Sequence, residues 1–416
     1  MQTKSSYHAL AVGGASLAGL ALAALALRQG KKVVLIDPSE SAGGMLASVR
    51  KEGFSFSPGM DLTFGFERGG GLETFCSELG ISLGASVLSP CYQVVLPDHR
   101  VSVYREQGET LDELRREFPA DIDAFVRFYR EMRRMAERCA KSRLAAYVAS
   151  RRSSASFLAR FRFSGGARAF LDAASLAFFQ LPAAELPLSV LVMLVDSAPL
   201  SVRDGFPFLA EQIAAYILKA GGEIVYGTAD VELLQGNGKA GGLKIPGSRT
   251  YDANSTLLSP PIANTCSGIL LGVNNAVIPV GMARNVFCLP IYERLDSFFT
   301  LSVSEEESTN ALHGKRAITA LFPFLPPASS SFDARTDSVA TVIPFLKRYI
   351  VTAAELPSRK DLCPYPDRFL RRPITSGRYG QQARRTELKQ LYVLRDDPRC
   401  PMCAIIAAQL LARMLL

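Results

Sequence analysis

The sequence predicts an α/β chain opened by a βαβ unit of nucleotide-binding type and long enough for two or three lobes. Three observations predict it. The stretch "HALAVGGASLAGLALAALALRQGKKVVLID" (residues 8–37) reads as a β-like run, a turn, a helix and a second buried strand ending in an acid. Its apolar course is punctuated at Gly13, Gly14, Ser16 and Gly19, where a strand must turn sharply into a helix. Finally, 416 residues with 48% hydrophobic and 21% charged residues can bury a large core and build two or three lobes.

Two other readings compete for the opening stretch. Residues 9–27 are apolar, Lys4 supplies a basic flank and "ALAL" offers small residues, as in a secretory signal. The run is also long enough for a membrane span. The internal glycines oppose both, and the run stops at "RQGKK" with Gly30 as a helix C-cap before "VVLID" begins. The βαβ unit is therefore the expectation, with residues 1–27 retained because their loss would delete a central strand.

The glycine frame "GASLAG" carries specific physics. Gly14 and Gly19 hold its outer positions, Leu17 and Ala18 open the helix, and Ser16 replaces the central glycine. In such a frame the first glycine allows the tight turn, the last allows close helix-to-strand packing, and the helix N-terminus offers free N–H groups to phosphates. Asp37, eighteen positions after Gly19, stands where an acid receives ribose hydroxyls.

The next stretch, "DPSESAGGMLASVRKEGFSFSPG", resembles the FAD-dependent amine oxidase and phytoene desaturase superfamily. Gly43 and Gly44 match the family's paired glycine, Met45 stands where Arg is usual, and "EGFSFSPG" (52–59) matches its following strand. Three later blocks are similar in the same order. The segment "VVLPDHRVSVYREQGETLDELRREFPADIDAFVRFYREM" looks like the hairpin and acidic helix that begin the substrate domain. "RDGFPFLAEQIAAYILKAGGEIVYGTADVELL" (203–234) looks like the re-entry into the FAD domain, with Val231 where the backbone meets the adenine. "ELKQLYVLRDDPRCPMCAIIAAQLLARMLL" looks like the closing strand, flavin-contacting turn and last helix. Asp396 there matches the family's acid, whereas Arg395 and "DPRCPMC" replace its Gly and glycine-rich turn.

The resemblance implies a Rossmann-like FAD-binding domain of the glutathione-reductase type with an interleaved α+β substrate domain. The FAD lobe takes residues 1–75, 200–262 and 385–416, and the substrate or cap lobe takes 76–199 and 263–384. FAD is the implied cofactor, held by Gly14, Ser16, Leu17, Ala18, Gly19, Asp37, Gly43, Gly44, Met45, Val231 and Asp396. The implied reaction is hydride transfer between a lipophilic, isoprenoid- or polyene-like substrate and flavin N5. The "FPADIDAFVRFYREM" block leans toward the polyene branch, and the aromatic cage and lysine of amine oxidases are not located. Alternatives are an amine oxidase-like flavoenzyme and a flavin-free carrier or partner protein on the same fold. No catalytic residue is identified.

Remaining features carry weaker signals. Eight cysteines (76, 91, 139, 266, 288, 363, 400 and 403) are too sparse for a disulfide scaffold and imply reduced thiols in a cytoplasmic protein. Cys400 and Cys403 read either as a redox dithiol beside the flavin or as chance spacing at a helix start. His8, His99 and His313 are the only histidines; the first two read as structural, and no metal site emerges. The stretch "KSRLAAYVASRRSSASFLARFRFSGGARAFL" (141–171) is rich in arginine, interleaved with apolar residues and free of acids. It reads as a basic amphipathic element on an anionic membrane surface or as a solvated face over the substrate lobe. The net charge of +8 permits such attraction, while no reader motif supports nucleic acid. "PFLPPASSSFDARTDS" (323–338) reads as a loop, and no internal repeat is visible.

Overall fold

The computed structural model describes residues 5–67, 69–228, 231–259, 267–305, 311–324, 331–356, 370–373, 383–386, 388–394 and 401–415. Its first sheet is built around the opening unit: strand β1 (Ser5–Gly13), helix α1 (Leu17–Arg28) and strand β2 (Val33–Ile36). The parallel order runs Glu223–Val225, β2, β1, Thr250–Leu258 and Leu391–Leu394, so β1 is central. Gly13 is in register with Ile36 on one side and Leu258 on the other, which brings the carboxyl ends of three strands level.

The composition of α1 follows from its position. Every residue from Leu17 to Ala26 is buried, because the helix lies on the sheet and packs against helices Gly205–Lys219 and Pro401–Leu415. A helix enclosed on all sides is apolar all round. It stops at Gly30, whose φ of 73° lets its N–H turn back to Leu27 O at 2.8 Å. Among the described residues no helix is long and apolar enough to cross a membrane.

The second sheet runs Ile350–Glu355, Ser267–Asn274, Lys315–Phe322, Phe299–Val303, Asn285–Cys288, Tyr92–Val95 and Arg100–Val103. Its pairings are antiparallel except that between Asn285–Cys288 and Tyr92–Val95. Helices Ile122–Lys141, Gly165–Phe179 and Leu188–Asp196 pack together on this lobe around Phe125, Phe128 and Phe170.

Three sequence expectations are corrected here. Residues 323–338 are not all loop: Phe332–Ala340 is a helix, with Ser331 at its N-cap accepting the Ala334 N–H and Asp333 in its first turn. Ser331, the last of the serine run, supplies the cap. The lobe boundary at 384/385 cuts a strand: Ala383–Thr386 and Leu370–Pro373 both extend the first sheet in antiparallel fashion. Their "ARRT" and "LRRP" sequences lack the apolar alternation that marks a strand. Residues 141–171 are not one element but helices Arg143–Arg151, Ala155–Leu158 and the start of Gly165–Phe179, separated at Arg152 and at Arg162, whose φ is 51°.

A buried polar cluster ties the lobes together. The Asp61 carboxylate, 6% exposed, accepts hydrogen bonds from Ser201 Oγ at 2.7 Å and Asn285 Nδ2 at 3.0 Å, and pairs with Arg284 at 2.8 Å. Ser201 belongs to the small sheet formed by Leu62–Thr63, Leu200–Val202 and Ala85–Ser86, whereas Asn285 opens a strand of the second sheet. Removing one partner strands the others away from water. Asp61→Ala is expected to cost about 3 kcal/mol of unfolding free energy in urea titration. Glu305→Ala, which removes the other, exposed partner of Arg284, is expected to cost at most about 1 kcal/mol.

Candidate dinucleotide site

The site is assembled at the carboxyl end of β1. Gly14 has a φ of 116°, a conformation that a side chain would strain, and its N–H reaches Ile36 O at 2.8 Å. Ser16 is the N-cap of α1, and its Oγ accepts the Gly19 N–H at 3.1 Å. A Cβ on Gly19 would lie 2.3 Å from Gly14 O, so the helix rests on the turn with no room for a methyl group. The amides of Leu17 and Ala18, in the first turn, have no carbonyl within the helix to bond. Together with the positive end of the helix dipole, they form the donor set that a pyrophosphate requires.

Asp37 closes the turn. It is 4% exposed; one carboxylate oxygen accepts the Ala15 N–H, while the other accepts the Ser39 N–H at 2.7 Å and the Ser39 hydroxyl. A carboxylate has about four acceptor positions, so these three bonds leave one for a ribose hydroxyl. Gly43 and Gly44 have φ values of 109° and 57°, and Gly43 donates its N–H to Ala15 O at 2.8 Å. The paired glycine thus lies directly against the first turn, with Met45 inside the short 3-10 helix Gly44–Leu46.

The far wall comes from the second half of the fold. Asp37 N–H bonds Val225 O at 2.9 Å and Gly227 N–H bonds Ser39 O at 3.0 Å, which holds residues 225–227 beside the acid. Val231 is 6% exposed, and buried Thr228 Oγ1 has no hydrogen-bond partner among the described residues. Burial, followed by the charges of Asp37 and Glu211, pushes the Tyr226 hydroxyl pKa up, so it stays a neutral donor near the acid. Asp396, Arg395 and Cys400 lie outside the described residues, as does the side chain of Cys403.

One feature of the site is absent from any local motif. Ser16 Oγ lies 2.5 Å from Ser259 Oγ, and Ser259 donates to Leu394 O at 2.9 Å. With its only proton spent on Leu394, Ser259 must receive that of Ser16. The chain of hydroxyls joins the α1 cap, the end of Thr250–Leu258 and the end of Leu391–Leu394. The crevice between β1 and Thr250–Leu258 is the point where the strand order reverses, and in open α/β sheets ligands bind there.

Other chemistry is sparse. No cluster of metal-ligating residues occurs among the described residues. His8 is buried beside Tyr251, and burial followed by the charge of Lys32 lowers its pKa. A separate cleft of about 320 Å³, lined by Arg105, Tyr129, Arg133 and Asp196 among others, shares no residue with the glycine turn.

A sequence profile of the NAD(P)-binding Rossmann-like domain matches residues 12–79. The chloroplastic prolycopene isomerase of Daucus carota is 28% identical over 136 residues, which cover 30% of this chain and 21% of the carrot protein. A Rab GDI from Plasmodium falciparum superposes with a TM-score of 0.66 at 11% identity, covering 98% of this chain and 97% of that one. A triple variant of putrescine oxidase superposes with a TM-score of 0.63 at 13% identity, covering 99% of each chain. These likenesses establish the fold over essentially the whole chain.

Two outcomes are expected from this geometry. Gly19→Ala forces a methyl group against a backbone carbonyl and should cost about 3 kcal/mol, read as a lowered thermal midpoint. Burial pushes the Cys76 thiol up to about 12 and the Cys91 thiol up to about 11, and raises Cys288 further. All three stay protonated at pH 8, so mass mapping after iodoacetamide treatment of the native protein should find them unmodified.

Proposed function

We propose that this chain, which has the dinucleotide-binding α/β fold shared with flavin amine oxidases, is an FAD-dependent oxidoreductase acting on a lipophilic, isoprenoid- or polyene-like substrate. One observation carries the reading. The positive-φ glycine turn, the capped α1 and the buried Asp37 meet at the switch point of the sheet, which is the donor and acceptor set that an ADP moiety needs.

The chain's own residues divide the work. Leu17 and Ala18 amides hold the pyrophosphate, and the fourth acceptor position of Asp37 takes a ribose hydroxyl. Gly43 and Gly44 keep that wall free of side chains, and Val231 with Thr228 borders the adenine. Asp396 is proposed to close the site at the ribitol or pyrophosphate side. When bound, the flavin supplies a hydride acceptor or donor at N5, and the protein supplies orientation and exclusion of water. Support for a polyene-like substrate comes from the partial likeness to prolycopene isomerase.

A second reading is a flavin-free carrier or partner protein. It is favoured by Ser16, whose Cβ and hydroxyl stand where a glycine would let phosphates approach, and by the Rab GDI among the structural neighbours.

Freshly purified protein is expected to show a flavin absorption spectrum, or to acquire one on titration with FAD. Asp37→Ala removes a charged acceptor worth about 1.5–3 kcal/mol, so FAD affinity should fall roughly tenfold or more. Ser16→Gly should bind FAD at least as well as the parent, losing a few tenths of a kcal/mol from the cap and about 1 kcal/mol from the bond to Ser259. A colourless protein that takes up no FAD at high micromolar concentration would decide for the second reading.

A further inference from the structure

Helix Arg143–Arg151 is amphipathic the wrong way round. Its small face, Ala145, Ala146 and Ala149, is turned inward, and Ala149 is 5% exposed where the helix packs on Ile122–Lys141 and Leu188–Asp196. Its large apolar residues point outward: Leu144 is 72% exposed, Tyr147 58% and Val148 42%. Positions 144, 147, 148 and 151 follow the i, i+3, i+4, i+7 spacing, so the three apolar residues and Arg151 form one continuous stripe. A surface helix normally buries such a stripe.

The charge around the stripe is one-sided. Arg138, Lys141, Arg143, Arg151, Arg152, Arg160 and Arg162 are all exposed, and no acid occurs from 138 to 171. Among the described residues only Arg160 of these has an acidic partner, Glu131 at 3.8 Å. The Arg151 guanidinium lies 5.4 Å from the centre of the Tyr147 ring, which keeps a cation at the rim of the apolar stripe.

We propose that helix Arg143–Arg151 docks this protein on an anionic lipid surface, with Leu144, Tyr147 and Val148 entering the headgroup–acyl boundary and the flanking arginines at phosphate level. Interfacial helices have this combination of an outward apolar stripe and a basic rim. Clusters of four or more cations beside such a stripe select anionic lipid, at about 1 kcal/mol for each residue near the surface. A second copy of the chain fits poorly, since Arg143, Arg151 and Arg152 would face their counterparts with no acid to pair. The docking stands on this face alone and is independent of flavin binding.

The chain contains no tryptophan, so Tyr147→Trp places a sole reporter in the stripe. Its emission is recorded with vesicles of phosphatidylcholine alone and of equimolar phosphatidylcholine and phosphatidylglycerol. The expected result is a blue shift with the anionic vesicles only, at low salt, reversed in about 1 M salt, where screening acts within ~3 Å. Adding Arg151→Glu and Arg152→Glu should weaken binding by roughly tenfold or more, and Leu144→Ser with Val148→Ser should abolish it. Circular dichroism melts serve as the folding control for these exposed sites. No shift at low salt, an equal shift with phosphatidylcholine alone, or a shift without vesicles that grows with protein concentration would each overturn the proposal.

Discussion

The close approach of α1 to the turn at Gly14 is the constraint on which the rest of this structure depends. With Gly19 resting on the Gly14 carbonyl, the helix axis is set by backbone contact alone. That contact aims the first-turn amides at the carboxyl end of β1 and lets ten consecutive helix residues be buried between the sheet and two other helices. Asp37 then braces the turn from the far side through the Ala15 amide. A side chain at either glycine would displace both the donors and the acid, so packing and binding geometry fail together.

Ser16 shows how one substitution in a familiar frame redistributes these contacts. Its hydroxyl both caps the helix and donates to Ser259, which donates onward to Leu394. The α1 cap is thereby joined through Ser259 to the end of Leu391–Leu394 by two hydrogen bonds, of 2.5 and 2.9 Å. The arrangement stiffens the floor of the site while placing a Cβ and an oxygen on the approach to it. Both effects follow from a single hydroxymethyl group, which is why this residue separates the flavin-binding reading from the flavin-free one.

At Asp61 a buried polar cluster couples the lobes, alongside apolar contacts such as that of Phe64 with Phe178. A buried carboxylate shared by Ser201, Asn285 and Arg284 adds little net stability over a hydrophobic replacement. It does fix direction, because each partner satisfies one particular lone pair and a slipped register would leave a charge without donors. The small sheet that carries Ser201 and the long sheet that carries Asn285 are thereby held in one relation to each other.

The sequence by itself determined the elements whose cause is local. The βαβ unit was legible in glycine spacing and apolar runs. Family-like blocks pointed to the hairpin at Tyr92–Val95 and Arg100–Val103. What only the tertiary structure decided has no local period. The Ser16–Ser259 bond spans 243 positions and the Asp61–Asn285 bond 224, and neither leaves a trace in any window of the chain. Ser331 read as part of a loop because a cap is recognisable only once its helix is known. The arginine-rich strands Leu370–Pro373 and Ala383–Thr386 join the first sheet without the alternation that announces a strand. The basic stretch gave its charge and apolar content in sequence, but which face of Arg143–Arg151 looks outward was set by the alanines that its neighbours could accommodate. Backbone conformation and periodicity are properties of adjacent residues, whereas partnership is a property of the folded chain.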